Sequence, residues 1–94
     1  LDEARIRAIE AVTDVPLVIH GGSGVPVDQR KRLAQTSKIC KFNIGTELRM
    51  AFGSSLRKTL SDAPDLFDRV QILKAVEPDI QTAAARVLRG LAAD

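Results

Sequence analysis

Aromatic residues are scarce in this chain of 94 residues, which has three Phe and neither Trp nor Tyr. There is therefore little to stack on bases. The basic residues also alternate with acidic ones instead of forming a block, so the pI near 9.0 does not indicate a nucleic-acid partner. No apolar run approaches the roughly 20 residues that a membrane span requires, which argues against a membrane partner. The single cysteine, Cys40, excludes an internal disulfide and points to a reducing, cytoplasmic setting. It lies in an apolar run and is expected to be a small core residue rather than a nucleophile. Histidine is equally sparse: His20 stands alone. The opening Leu1-Asp2-Glu3-Ala4-Arg5 lacks a signal-peptide pattern and begins inside an amphipathic segment, as an excerpt from a longer polypeptide would.

What is present describes a globular protein: 45% hydrophobic and 28% charged residues, with a net charge of +2. Apolar spacing from Leu1 to Val12 predicts the tail of an amphipathic helix. Val15 to Ile19 and Ile39 to Ile44 are short apolar runs of the kind found in strands buried on both faces. Between them, Val25-Pro26-Val27-Asp28 offers helix-start chemistry for a helix over Gln29 to Thr36, with Leu33 and Ala34 inward. A further helix opens at Gly45-Thr46-Glu47, with Leu48, Ala51, Phe52, Ser55, Leu56 and Thr59 on one face. After a break at Ser61 to Pro64, a short helix (Leu66 to Ala75) and a longer one (Pro78 to Leu91) are expected.

Strands alternating with helices imply βαβ units and a parallel sheet. Two fully buried strands need neighbours that this chain does not contain. Residues 1–94 are therefore expected to be a single partial domain. They would form the C-terminal portion of a (β/α)8 barrel, contributing its last two βα units and C-terminal helices, where a whole barrel takes about 250 residues.

Two unusual segments each follow a predicted strand and precede a helix, where active sites sit in parallel α/β folds. Glycines expose backbone N–H groups and a helix start adds partial positive charge, so such loops suit phosphate. His20-Gly21-Gly22-Ser23-Gly24, followed one βα unit later by Lys41-Phe42-Asn43-Ile44-Gly45-Thr46-Glu47-Leu48, resembles the class II, zinc-dependent fructose- or tagatose-bisphosphate aldolases. The likeness covers nearly the whole chain and is sharpest from Pro16 to Phe52.

That resemblance implies reversible aldol cleavage of a ketose bisphosphate to dihydroxyacetone phosphate and glyceraldehyde 3-phosphate, with zinc as Lewis acid. By the same resemblance, His20 is the last of three zinc-binding histidines. Gly21, Gly22 and Ser23 would grip the phosphate, and Asn43, Ile44, Gly45 and Thr46 would form a second substrate loop. A monovalent cation near the glycine loop, as in some members, and a homodimer or homotetramer are further implications. No catalytic acid/base residue is expected within residues 1–94, so this segment alone should be inactive. Gly45 departs from the aspartate common in fructose-bisphosphate members, which leaves fructose and tagatose substrates both open. Two other readings stand beside this one. The first is a non-catalytic phosphate-binding or assembly module derived from such a barrel, and the second is a phosphate-binding barrel enzyme without zinc.

Overall fold

The first helix, α1 (Glu3–Glu10), starts at Asp2, whose carboxylate accepts the Arg5 N–H at 3.0 Å and satisfies a donor that a helix start leaves open. The computed structural model describes residues 1–92. Beyond α1 the order is β1 (Leu17–Ile19), a 3-10 turn (Gly22–Gly24), α2 (Val27–Thr36), β2 (Ile39–Phe42), α3 (Thr46–Asp62) and α4 (Arg69–Leu91). The described chain is thus mixed α/β, with two parallel strands and four α-helices. It divides into two units, Leu1–Ile44 with the chain from Leu88 onward, and Gly45–Val87.

In the first unit, β1 and β2 pair in parallel, which requires a crossover, and α2 supplies it. The register matches Leu17 with Ile39, Val18 with Lys41 and Ile19 with Phe42, so Cys40 is the extra residue of a bulge. The ladder is closed at its ends by Leu17 N–H to Lys38 O (2.9 Å) and Asn43 N–H to Ile19 O (2.8 Å). Ile6, Leu33 and Ile39 form the core, with Leu17, Ile19 and Phe42 packed against it.

The end of α2 uses a hydroxyl instead of a glycine. Ser37 is extended, its Oγ donates to Leu33 O at 2.6 Å, and it accepts the Ile39 N–H at 3.1 Å. Lys38 is then free to reach the end of α1, where its Nζ donates to Glu10 O (3.3 Å) and Thr13 O (3.0 Å).

Four expectations are corrected here. Both strands are shorter than the apolar runs, and they are not buried on both faces: Val18 is 39% exposed and Cys40 is exposed. Side chains alternate across a strand, and Leu17, Ile19, Ile39 and Phe42 are the strand residues that reach the core, so Cys40 is not in it. The expected pair of C-terminal helices is one helix, α4, with Pro78 inside it. Proline removes a single hydrogen bond, to the Lys74 carbonyl, and the helix continues because Val76 (0% exposed) and Ala83 (8%) are buried on either side.

In the second unit, α3 and α4 are linked by Ser55 Oγ donating to Asp79 Oδ2 at 2.5 Å, with Ser55 itself buried. Ser55→Ala removes this charge-assisted bond and is expected to destabilise the protein by about 1 kcal/mol, because exposed Asp79 regains water. Chemical denaturation of the full-length protein measures it, and an unchanged midpoint would show that the link carries no stability. No described helix is long and apolar enough to cross a membrane.

Candidate functional site

Two parallel strands end side by side, and the residue following each carries a polar side chain. His20 follows Ile19 at the end of β1, and Asn43 follows Phe42 at the end of β2. The Asn43 N–H is bound to Ile19 O, and its side-chain Nδ2 lies 3.2 Å from His20 Nδ1. An asparagine NH2 group only donates, so in this contact His20 Nδ1 is the acceptor. His20 is exposed at the strand end and its ring is reachable from solvent.

The glycine loop docks on the same residue. Gly22 N–H donates to Asn43 O at 3.1 Å, and Gly22 is buried. A Cβ at Gly22 would stand 2.5 Å from Ile44 Cδ1 and 3.0 Å from Asn43 O. This glycine is therefore needed for close approach of two loops, not for unusual torsion angles, since no glycine has positive φ. Gly21 and Gly24 differ: a Cβ on either would meet nothing within 4 Å. They leave open space beside the 3-10 turn that Gly22, Ser23 and Gly24 form.

The structure thus brings His20, Gly22, Asn43 and Ile44 together, with Gly21 and Ser23 in the adjoining turn. Among these, the N–H of Gly22 is committed to Asn43, so its part is spacing and not donation to an anion. Sequence reasoning did not foresee the Asn43–His20 contact. The signal available was positional: two polar residues each placed one residue beyond adjacent strands.

Gly45 and Thr46 follow directly in the chain and belong to the second unit. Gly45 precedes α3 and offers no side-chain cap, while Thr46 is its first residue and is exposed. The first N–H groups of α3 therefore lack intrahelical partners and carry the positive end of the helix dipole. Thr46 does not cap the helix; its Oγ1 accepts from Arg49 Nη2 at 3.3 Å. A Cβ at Gly45 would lie 3.0 Å from Arg49 Nη1, so glycine here lets the guanidinium fold back over the helix start.

His20 has the right chemistry for one ligand of a zinc centre, with a lone pair on Nδ1. Among the described residues, no group of three His, Cys, Asp or Glu is placed to hold a metal. A zinc centre therefore does not fit within these residues alone, and His20 fits as a single contributor to one.

Comparison with known proteins agrees with the motif resemblance. Residues 1–94 match the family described as Fructose-bisphosphate aldolase class-II, which covers the whole chain.

Proposed function

The chain belongs to the class II fructose-bisphosphate aldolase family, and from that premise we propose that it is the C-terminal part of a ketose-bisphosphate aldolase. In this reading residues 1–94 are one partial domain, the last two βα units and C-terminal helices of a (β/α)8 barrel. The exposed second face of β1 and β2 supports it, because parallel strands are normally covered on both faces. The reaction is reversible cleavage of fructose- or tagatose-1,6-bisphosphate to dihydroxyacetone phosphate and glyceraldehyde 3-phosphate. The working protein is a cytoplasmic homodimer or homotetramer.

The observation that carries the proposal is the pairing of His20 with Asn43 at the ends of neighbouring parallel strands, with the glycine loop fastened to Asn43. An imidazole and a side-chain amide 3.2 Å apart at the carboxyl ends of neighbouring strands support this reading, because active sites of parallel α/β folds lie there. Zinc, held by His20 together with ligands from outside residues 1–94, would supply Lewis-acid stabilisation of charge developing on the substrate oxygens.

The chain's own residues then have distinct tasks. His20 presents an imidazole lone pair. Asn43 donates from its amide to a substrate oxygen. Gly21 and Ser23 border the open space that would receive a phosphate, and Gly22 keeps that turn pressed against Asn43 and Ile44. Thr46, the first residue of α3, offers a hydroxyl at the positive end of the helix dipole.

The test is an assay of the full-length protein against both bisphosphates, before and after metal removal. Cleavage of at least one, lost with a chelator and regained with zinc, is the expected result. Cleavage that survives full chelation would favour a barrel enzyme without zinc. Phosphate binding with no cleavage of either sugar would favour a binding or assembly module.

A further inference from the structure

We propose that Arg49 is a positioning residue for the Thr46 hydroxyl: it holds that group with its proton turned outward to an anionic oxygen, and it can do so because residue 45 is a glycine. The inference deepens the proposed function and rests on the reading of Thr46 as a phosphate ligand.

The direction of the contact is fixed by chemistry. Arg49 Nη2 lies 3.3 Å from Thr46 Oγ1, and a guanidinium has protons to give and no lone pair. The hydroxyl therefore accepts, and its own proton turns away from the cation. A threonine hydroxyl accepts and donates at once, so an ionised phosphate oxygen, which only accepts, meets a donor already aimed. Without Arg49 the hydroxyl would have to be ordered on binding, at a cost in affinity.

Gly45 makes the reach possible. A Cβ on residue 45 would stand 3.0 Å from Arg49 Nη1 and 3.5 Å from its Cζ, so a methyl group there displaces the guanidinium. At 3.3 Å the bond to Thr46 is already long, and a further displacement of a few tenths of an ångström takes it out of hydrogen-bond range. Backbone strain plays no part, since Gly45 has φ −122° and ψ −45°.

The surroundings give the cation a task. The first turn of α3 also carries Glu47, whose charge opposes an anion, so positive charge at Thr46 has something to offset. Thr46 and Arg49 line one open groove of about 370 Å³ along α3, with Arg57 about two turns beyond Arg49 in the same groove.

The test titrates inorganic phosphate into the full-length protein and its variants by calorimetry. Arg49→Ala and Gly45→Ala are each expected to weaken phosphate about 2- to 10-fold, as loss of one hydrogen bond would. Unchanged binding in Gly45→Ala would overturn the role given to the glycine. Arg57→Ala removes the same charge from the same groove without touching Thr46, and should cost less than about 2-fold. A loss equal to that of Arg49→Ala would make the effect one of net charge and overturn the proposal. In a Thr46→Val background, Arg49→Ala should cost nothing further, because the hydroxyl it positions is gone. An undiminished loss there would mean that Arg49 acts on the anion by itself. Where a bisphosphate is cleaved, the same variants should raise KM with little change in kcat. Thr46→Val separates the two levels: if it leaves phosphate binding intact, or if the parent protein binds no phosphate, the reading of Thr46 falls and this inference with it. If Thr46→Val weakens phosphate while Arg49→Ala does not, only the present inference fails.

Discussion

Full-length protein carrying His20→Ala is expected to lose zinc and, with it, measurable aldol cleavage. Removing a residue that merely orients a metal ligand costs roughly 10- to 100-fold in affinity, and removing the ligand itself should exceed about 100-fold. Cleavage should fall at least as far, because an aldolase of this type depends on the ion for charge stabilisation. Stability should change little. His20 is exposed, lies outside the core of Ile6, Leu33 and Ile39, and its ring meets the Asn43 side chain at the strand ends. Metal content, steady-state cleavage and thermal midpoint are the three readings. A variant that keeps zinc and activity would remove His20 from the site altogether.

The second large effect is expected at Gly22. An alanine Cβ there meets Ile44 Cδ1 at 2.5 Å and the Asn43 carbonyl at 3.0 Å. The isoleucine tip can rotate away, but the carbonyl is backbone and accepts the Gly22 N–H at 3.1 Å, so the loop itself must shift. Overpacking of this kind costs about 1–3 kcal/mol. Moving the turn by a fraction of an ångström also displaces Asn43 from His20, and misplacement on the scale of 1 Å costs about 100-fold in kcat/KM. Gly21→Ala is the control for stability: its φ is −107° and nothing stands within 4 Å of the added methyl. Gly22→Ala should therefore unfold at lower denaturant than Gly21→Ala. Equal midpoints for the two variants would mean that the approach of the loops is looser than these distances indicate.

Gly22 also shows where sequence reasoning stops. His20-Gly21-Gly22-Ser23-Gly24 marks a loop after a strand, but nothing in the string distinguishes one glycine from the next. Only the packing does so, by placing Ile44 and the Asn43 carbonyl against Gly22 and leaving Gly21 and Gly24 open. The same holds for Asn43. Its position one residue past β2 is legible from apolar patterning, whereas its contact with His20 depends on the parallel register of the two strands.

By itself the sequence determined the alternation of helix and strand, the helical faces around Leu33 and Ser55, and the family to which the chain belongs. Those features follow from local periodicity, from turn chemistry and from the ordered pair of loop motifs, all of which are written along the chain. Tertiary structure decided the rest. It kept α4 continuous through Pro78, because burial at Val76 and Ala83 outweighs one missing hydrogen bond. It left Cys40 exposed despite its apolar neighbours, because an apolar run reports a preference for burial and not the presence of a surface to be buried against. And it set His20 beside Asn43, residues 23 positions apart in the chain, because a parallel pairing joins strand ends that local sequence cannot relate.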